Sequence, residues 1–133
     1  MSSHVFTYGS LMFPEIWTRV VRGHYRAMPA RLDGHARFEI VGETYPGMVE
    51  RRGSVVEGVL YLDVAPADID ALDAFEGAEY RRAAVQVRLE SGETVEAGSY
   101  LYLLPQKLSE SPWRPEAFQM ARFIGSYCRQ KLG

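Results

Sequence analysis

The chain has little of several features that large functional classes need. Its 133 residues include one cysteine and only two lysines, and the formal net charge is −2. A single cysteine excludes an internal disulfide and a zinc site made of several cysteines. Thirteen arginines are offset by 17 acidic residues, so the chain lacks the basic excess that binds nucleic acid. No apolar run approaches the roughly 20 residues that a membrane-spanning helix needs.

Other absences narrow the expected chemistry and location. Residues 1–4 carry neither the basic region nor the apolar region of a secretion signal, so we expect a cytoplasmic protein. His4, His24 and His35 show no metal-binding spacing, and we expect no metal site. Cys128 lies in a helical pattern, where a buried small hydrophobe is a better interpretation than a nucleophile.

What is present predicts a single globular domain over residues 1–133. Hydrophobic residues make up 47% and charged residues 24% of the chain, close to globular averages. Many short β-rich runs and few helical ones predict a small barrel or a strongly curved mixed sheet of the α+β class. The predicted strands cover residues 5–8, short runs within 25–49, 55–64, 80–90 and 94–104, and the predicted helices cover 14–22, 66–76 and a segment that begins at 115.

Local features refine these predicted elements. Gly23 is placed to cap the C-terminus of the first helix, and Gly58 inside a strand indicates a bulge or a close backbone approach. Asp68 lies in the first turn of the second helix, where the helix dipole favours an acid. The last helix has one apolar face directed at the core. That face consists of Phe118, Ala121, Ile124 and Cys128.

One carboxylate falls on the apolar side of a predicted helix. Glu76 comes four residues after Leu72 in the helix 66–76, which places it among apolar side chains. It also lies in the last turn, where the helix dipole disfavours negative charge. Both effects raise the pKa of a carboxyl group, and a raised pKa suits a general base. The alternative is a frayed helix end from which Glu76 turns to water and pairs with Arg81 or Arg82.

A second candidate segment is Tyr8-Gly9-Ser10-Leu11, between a predicted strand and a predicted helix. Glycine permits positive φ and lets a ligand approach the backbone closely. Consecutive N–H groups in such a turn bind a carboxylate or an oxyanion, and Tyr8 and Ser10 add hydroxyl groups. Ser10 is a poor candidate nucleophile, because the Gly-x-Ser-x-Gly sequence is missing and no histidine is placed beside it.

Together these segments resemble the γ-glutamylcyclotransferase-like family, also called the AIG2-like family. The similarity follows the family order over nearly the whole chain, and it is more specific for fold and site than for substrate. The segments that carry it are Phe6-Thr7-Tyr8-Gly9-Ser10-Leu11, Tyr45-Pro46-Gly47, Gly58-Val59-Leu60-Tyr61, Leu72-Asp73-Ala74-Phe75-Glu76-Gly77, Tyr80-Arg81-Arg82, Ala97-Gly98-Ser99-Tyr100, and Trp113 with Phe118.

The resemblance implies a small mixed β-barrel flanked by helices. It also implies cyclisation of a γ-glutamyl amino acid or γ-glutamyl amine to 5-oxoproline, with release of the amine. Glu76 corresponds to the family's catalytic glutamate, a general acid and base, and Tyr8-Gly9-Ser10-Leu11 corresponds to its substrate loop. Tyr100 corresponds to a tyrosine that lines the family's cavity. The implied enzyme is a transferase or lyase for intramolecular acyl transfer, and it needs no metal and no cofactor.

Two alternatives stay open at the level of sequence. In one, the domain is a non-catalytic module that binds a small molecule or a protein partner. In the other, the same residues remove a γ-glutamyl group from an amine in biosynthesis or detoxification. A deep cavity with Glu76 beside the loop N–H groups favours catalysis, and a side-chain-filled one favours binding. We expect a small γ-glutamyl substrate, no nucleic acid or membrane partner, and a monomer or homodimer.

Overall fold

The computed structural model describes residues 3–133, so part of the segment considered for a secretion signal lies outside the described residues. Five strands close into a barrel in the order β3-β1-β5-β4-β2, and β2 pairs again with β3. β1 and β5 are parallel and the other pairs are antiparallel. β6 extends the sheet beside β2. The strands are β1 (Ser3–Thr7), β2 (Ala27–Ile40), β3 (Pro46–Val64), β4 (Tyr80–Leu89), β5 (Thr94–Tyr102) and β6 (Leu108–Pro112).

Residues 27–64 form two long strands, and the prediction of several short ones was wrong. β2 has 14 residues and β3 has 19, and they pair antiparallel over most of their length. The register shifts next to Gly34, whose φ is 75°, and Gly53 on the other strand has a φ of 86°. Because glycine adopts positive φ at little cost, these two residues bend the paired strands instead of ending them.

Helices cover one side of the barrel, as the α+β prediction required. α1 (Pro14–Val20) and α2 (Pro66–Glu76) are followed at the end of the chain by a C-terminal segment of three short pieces. One hydrophobic core fills the barrel interior, around residues such as Phe6 and Leu60. A second core lies between the helices and the outer face of the barrel, around Trp17 and Leu72. The pieces of the C-terminal segment are α3 (Met120–Phe123), a π-helical turn (Ile124–Cys128) and α4 (Arg129–Leu132).

The C-terminal segment differs from its prediction in start and in orientation. The α-helix begins at Met120 and not at residue 115, because Pro115–Ala117 forms a 3₁₀ turn. Phe123 and Cys128 are buried, whereas Ala121 is exposed. A π-helical turn holds more residues than an α-helical turn, so a face predicted with a period of 3.6 does not continue through it.

The end of α1 is held by a side chain that the sequence did not single out for this purpose. α1 ends at Val20, and Gly23 does not cap it. Asp68 of α2 instead accepts hydrogen bonds from the N–H groups of Arg22 and Gly23, both at 2.9 Å, and from the Tyr25 hydroxyl at 2.5 Å. Burial acts to raise the pKa of Asp68, but these hydrogen bonds lower it overall. Asp68 therefore ties the loop after α1 to α2.

Candidate active site

Strand β1 fixes the backbone that leads into the candidate loop. The Thr7 hydroxyl donates to the carbonyl of Val59 at 2.8 Å, and the Ser99 hydroxyl donates to the carbonyl of Phe6 at 2.9 Å. A Cβ at Gly58 would overlap the Thr7 carbonyl oxygen, so the predicted close backbone approach at this glycine is confirmed. Neighbouring strands therefore hold the loop in place from both sides of β1.

The candidate loop is a 3₁₀ turn, Ser10–Met12, preceded by Gly9. Gly9 has a φ of −126°, so it does not use the positive φ that glycine permits. Glycine is needed here because a Cβ would lie 2.9 Å from ring atoms of Pro46. Among the described residues, the N–H groups of residues 9–11 donate to no protein acceptor, whereas the Met12 N–H donates to the Gly9 carbonyl at 3.0 Å. Three free backbone donors at one turn form an anion-binding arrangement.

Helix α2 carries the candidate carboxylate at its last residue. Pro66 occupies the first turn, where a missing N–H costs nothing, and Gly77 ends the helix with a φ of 81°. Leu72 and Phe75 are buried as the apolar face predicts. Glu76 lies next to that face and is half-buried, because one side of its carboxyl group borders a cavity.

The pKa of Glu76 is raised, as its position in the helix pattern predicts. Burial raises the pKa of Glu76 to about 8; the Lys131 ammonium acts to lower it and the Asp73 carboxylate adds to the rise. Among the described residues, Glu76 forms no ion pair with Arg81 or Arg82. Arg82 instead binds Asp73 with an Nε–Oδ1 distance of 2.9 Å. At a pKa of about 8 most Glu76 carboxyl groups are protonated at neutral pH, and the minority that is ionised is the form that can accept a proton.

Two cavities meet at Glu76. The inner cavity has a volume of about 20 Å³ and is lined by the loop of residues 8–11 and by Tyr100. The outer cavity has a volume of about 340 Å³ and opens between the β2–β3 turn, the end of α2 and the C-terminal segment. The side chains that line both are Tyr45, Glu76, Tyr80 and Tyr127. The structure thus brings every site residue predicted from the sequence to the inner cavity.

Three tyrosines that line the inner cavity have hydroxyls that donate to protein groups. The Tyr8 hydroxyl donates to the carbonyl of Tyr100 at 2.6 Å. The Tyr100 hydroxyl donates to Asp73 Oδ1 at 2.7 Å, and the Tyr80 hydroxyl donates to the Pro46 carbonyl at 2.8 Å. The Tyr80 ring also packs against that of Tyr102, with 5.2 Å between centroids, and Tyr80 lines both cavities.

The C-terminal segment covers the inner cavity. Phe123 is 1% exposed, and its ring stacks on that of Tyr127 with 5.1 Å between centroids. The Tyr127 hydroxyl donates to the carbonyls of Phe75 at 2.5 Å and of Glu76 at 3.1 Å. These are the last carbonyls of α2, which have no partner within the helix. Lys131 Nζ lies 5.5 Å from the centre of the Tyr127 ring.

The expectation that favours catalysis is a deep cavity with Glu76 beside the loop. The structure meets the part about position and not the part about depth. Glu76 and the residues that carry the loop donors line the same inner cavity, which is one requirement for catalysis. A volume of about 20 Å³ has room for about one water molecule, and the side chains of Phe123 and Tyr127 are among those that line it. The outer cavity has the size of a small-molecule site, for which about 300 Å³ is the lower bound.

The residues of the C-terminal segment that cover the site were not predicted from the sequence. Phe123, Tyr127 and Lys131 follow one another at intervals of four residues, which places them on one helical face. That spacing was the available signal. The described residues contain no group of three or more histidine, cysteine or acidic side chains that could hold a metal ion. In the same part of the chain, no helix is long and apolar enough to cross a membrane.

Comparison with known proteins defines the class. Residues 5–117 match the family described as "Gamma-glutamyl cyclotransferase, AIG2-like". The chain therefore belongs to this family, and the resemblance inferred from the sequence is confirmed. It is 30% identical over 103 residues to Protein AIG2 C of Arabidopsis thaliana, covering 77% of this chain and 62% of that protein. The chain thus spans about three fifths of the length of the curated relatives that it matches.

Solved structures agree with the barrel fold. A solution structure of an Arabidopsis thaliana protein has a TM-score of 0.74 at 27% identity and covers 97% of this chain and 93% of that one. A structure named "Gamma-glutamyl cyclotransferase" has a TM-score of 0.69 at 22% identity and covers 98% of this chain and 80% of that one. The predicted mixed barrel flanked by helices is confirmed.

Proposed function

We propose that this protein cyclises a γ-glutamyl amino acid or a γ-glutamyl amine to 5-oxoproline and releases the amine. The observation that carries the proposal is that Glu76 and residues 9–11 line one inner cavity, and that the N–H groups of residues 9–11 have no protein acceptor among the described residues. The reaction requires a base for the attacking amine and hydrogen-bond donors for the carboxylate or the oxyanion. The family to which the chain belongs supports the same reaction class.

Glu76 serves as the base and then as the acid. The α-ammonium group of the substrate has to lose a proton before its nitrogen attacks the γ-carbonyl carbon. The α-amino group at a peptide N-terminus has a pKa of about 7.7–8.0, and that of a γ-glutamyl group is higher because its α-carboxylate is free. Burial raises the pKa of Glu76 to about 8, so proton transfer from the ammonium to Glu76 is less unfavourable than transfer to a carboxylate of ordinary pKa. Glu76 returns the proton to the leaving nitrogen when the bond between that nitrogen and the γ-carbon breaks.

The loop donors hold the negative charge of the reaction. The N–H groups of residues 9–11 bind the α-carboxylate of the substrate or the oxyanion that forms at the γ-carbonyl. Because the attack is intramolecular, holding the substrate in a folded conformer supplies much of the acceleration. Pro46 lies against Gly9 and keeps the loop in one position.

Substrate entry requires a rearrangement at the boundary of the two cavities. The inner cavity of about 20 Å³ is too small for a γ-glutamyl group, so Tyr127 or Tyr45 has to shift when substrate binds. The leaving group then lies in the outer cavity, where Glu43 and Glu79 border the same space as Arg122 and Lys131. An amino acid, a free amine and the ε-amine of a lysine are all candidate leaving groups.

The filled inner cavity favours one competing function, a non-catalytic module on the same fold. In that case Phe123 and Tyr127 keep the inner cavity closed, and ligands bind only in the outer cavity. Removal of a γ-glutamyl group in a biosynthetic or detoxifying step uses the same Glu76 chemistry and differs only in the leaving group.

The test is a 5-oxoproline release assay over a panel of γ-glutamyl amino acids and γ-glutamyl amines. We expect Glu76→Gln to remain folded and to lose at least about 10²-fold in turnover, the typical contribution of a positioned acid–base group. Glu90→Gln, at an exposed glutamate outside both cavities, is the matched control and should keep full activity. A Glu76→Gln variant with most of its activity would end the assignment. No release by folded wild-type protein would favour the binding module.

Four further expectations from the sequence remain predictions. They are a single domain over residues 1–133, a cytoplasmic location, a monomeric or homodimeric state, and the absence of a nucleic acid partner. Size-exclusion chromatography with light scattering tests the oligomeric state.

A further inference from the structure

We propose that Arg37 is a positioning residue for the substrate loop. From outside the inner cavity, Arg37 holds the Tyr8–Gly9 peptide group in one orientation and polarises it. The inference rests on the proposed function, because it concerns the loop that binds substrate there. Arg37 lies on β2, far along the chain from the loop, and it does not line the inner cavity.

The guanidinium group of Arg37 joins the loop to the barrel. Its Nη1 donates to the Tyr8 carbonyl at 2.6 Å and to the Glu57 carbonyl at 2.8 Å, and it lies 3.6 Å from the sulfur of Met12. Tyr8 and Met12 are the two ends of the loop, and Glu57 is on β3. One half-buried side chain therefore connects both ends of the loop to a neighbouring strand.

The hydrogen bonds that Arg37 donates to oxygen go to carbonyl groups, and the carboxylates of Glu116 and Glu57 act on its charge from beyond salt-bridge distance. Among the described residues, no acidic side chain lies within salt-bridge distance of it. The guanidinium carbon lies 5.4 Å from the centre of the Trp113 ring. Trp113 is buried, and its indole N–H donates to the Thr44 carbonyl at 3.0 Å, so the ring has a fixed position. The stacking partner thereby holds the guanidinium group in place.

Peptide geometry carries the effect of Arg37 to the cavity. The carbonyl and the following N–H of a trans peptide point in opposite directions. Since the Tyr8 carbonyl points to Arg37 outside the inner cavity, the N–H of Gly9 points to the opposite side, where Gly9 lines that cavity. A rotation of this peptide would direct the Tyr8 carbonyl oxygen at the bound anion and repel it. Arg37 opposes that rotation.

Arg37 also strengthens the donor. A hydrogen bond from an ionised group to a carbonyl is about twice as strong as a neutral one, and it polarises the peptide to which the carbonyl belongs. The N–H of Gly9 consequently binds an anion more tightly than an ordinary amide does. The fold thus brings positive potential to the cavity without a cationic side chain inside the loop.

The experiment compares Arg37→Met, Arg37→Lys and the control Arg31→Met in 5-oxoproline release and in 5-oxoproline binding. Arg31 is on the same strand and pairs with the exposed side chain of Glu57 at 3.0 Å. We expect Arg37→Met to lose about 10- to 100-fold in kcat/KM, somewhat less than removal of a whole oxyanion donor. The pH profile should not move, because Glu76 is unchanged. Arg37→Lys should recover part of the loss, and Arg31→Met should match wild type.

A folded Arg37→Met variant with wild-type kcat/KM would overturn the proposal. If that variant does not fold, nitrogen-15 NMR of the wild-type protein decides. We expect 5-oxoproline to shift the Gly9 amide proton downfield, and a Gly9 signal that does not move while other loop amides do would refute the peptide orientation. The role of Arg37 and the proposed function can be refuted separately. If activity depends on Glu76 but not on Arg37, only the role of Arg37 is refuted. If the wild-type protein releases no 5-oxoproline at all, the proposed function is refuted, and the shift of the Gly9 amide signal still tests the role of the loop.

Discussion

Replacement of Glu76 by glutamine should stabilise the fold at alkaline pH and hardly change it at acidic pH. Burial raises the pKa of Glu76 from 4.5 to about 8. Between these pH values the folded protein holds a proton that the unfolded chain has released, so wild-type stability falls as the pH rises. The penalty is complete above about pH 8, where Glu76 is ionised in both states. Glutamine has nearly the same shape and no charge, so the variant escapes this penalty.

The expected size of the effect follows from the two pKa values. The difference between 4.5 and about 8 corresponds to at most about 5 kcal/mol. One side of Glu76 borders the cavities, so water and side-chain relaxation reduce the penalty, and we expect about 2–4 kcal/mol. For a chain of this size that is a difference of about 10 °C in Tm at about pH 9. At about pH 5 the two proteins should differ by no more than about 2 °C.

Thermal unfolding followed by circular dichroism, from acidic to alkaline pH, measures the effect in wild type, Glu76→Gln and the exposed control Glu90→Gln. The control should follow wild type at every pH. The burial argument is refuted if the free-energy difference between Glu76→Gln and wild type is independent of pH. It is also refuted if glutamine destabilises the fold most at alkaline pH, since that would mean a carboxylate stabilised by its surroundings.

Three other perturbations test the supports of the site. Asp68→Asn should cost about 1–3 kcal/mol in urea unfolding at neutral pH; because the pKa of Asp68 is lowered, the loss should shrink as the pH falls and wild-type Asp68 is protonated. Gly9→Ala should lower Tm and weaken 5-oxoproline binding in calorimetry, since its Cβ would lie 2.9 Å from the Pro46 ring, whereas Gly125→Ala, in open space, should change neither. Tyr127→Phe loses two hydrogen bonds to the end of α2, so it should cost about 1–2 kcal/mol in urea unfolding.

The parts of the site that could be predicted are those that depend on local sequence. The position of Glu76 beside the apolar face of α2 follows from the spacing of Leu72 and Phe75, and the turn at Gly9 follows from a strand that meets a glycine. The two long strands could not be predicted in the same way. Gly34 and Gly53 bend β2 and β3 only because the strands pair with each other, and that pairing is absent from a local pattern.

The missed residues act on the site through contacts that are distant in sequence. Arg37 donates to carbonyl groups 29 and 20 residues away, and nothing on strand β2 distinguishes it from the other arginines. Tyr127 reaches the end of α2 across 52 residues, from within the π-helical turn. In both cases the partner is a backbone carbonyl, which carries no sequence signal at all.

The candidate chemistry and one wall of the outer cavity come from different parts of the chain. The loop of residues 8–11 and Glu76 both lie within residues 5–117, which match the family. Much of one wall of the outer cavity comes from Arg122, Tyr127 and Lys131, which follow that range. If the leaving group occupies the outer cavity, the loop and Glu76 make the new bond, whereas residues of the C-terminal segment contact the released amine. The C-terminal segment can then change which amine is accepted while Glu76 and the loop keep the same reaction.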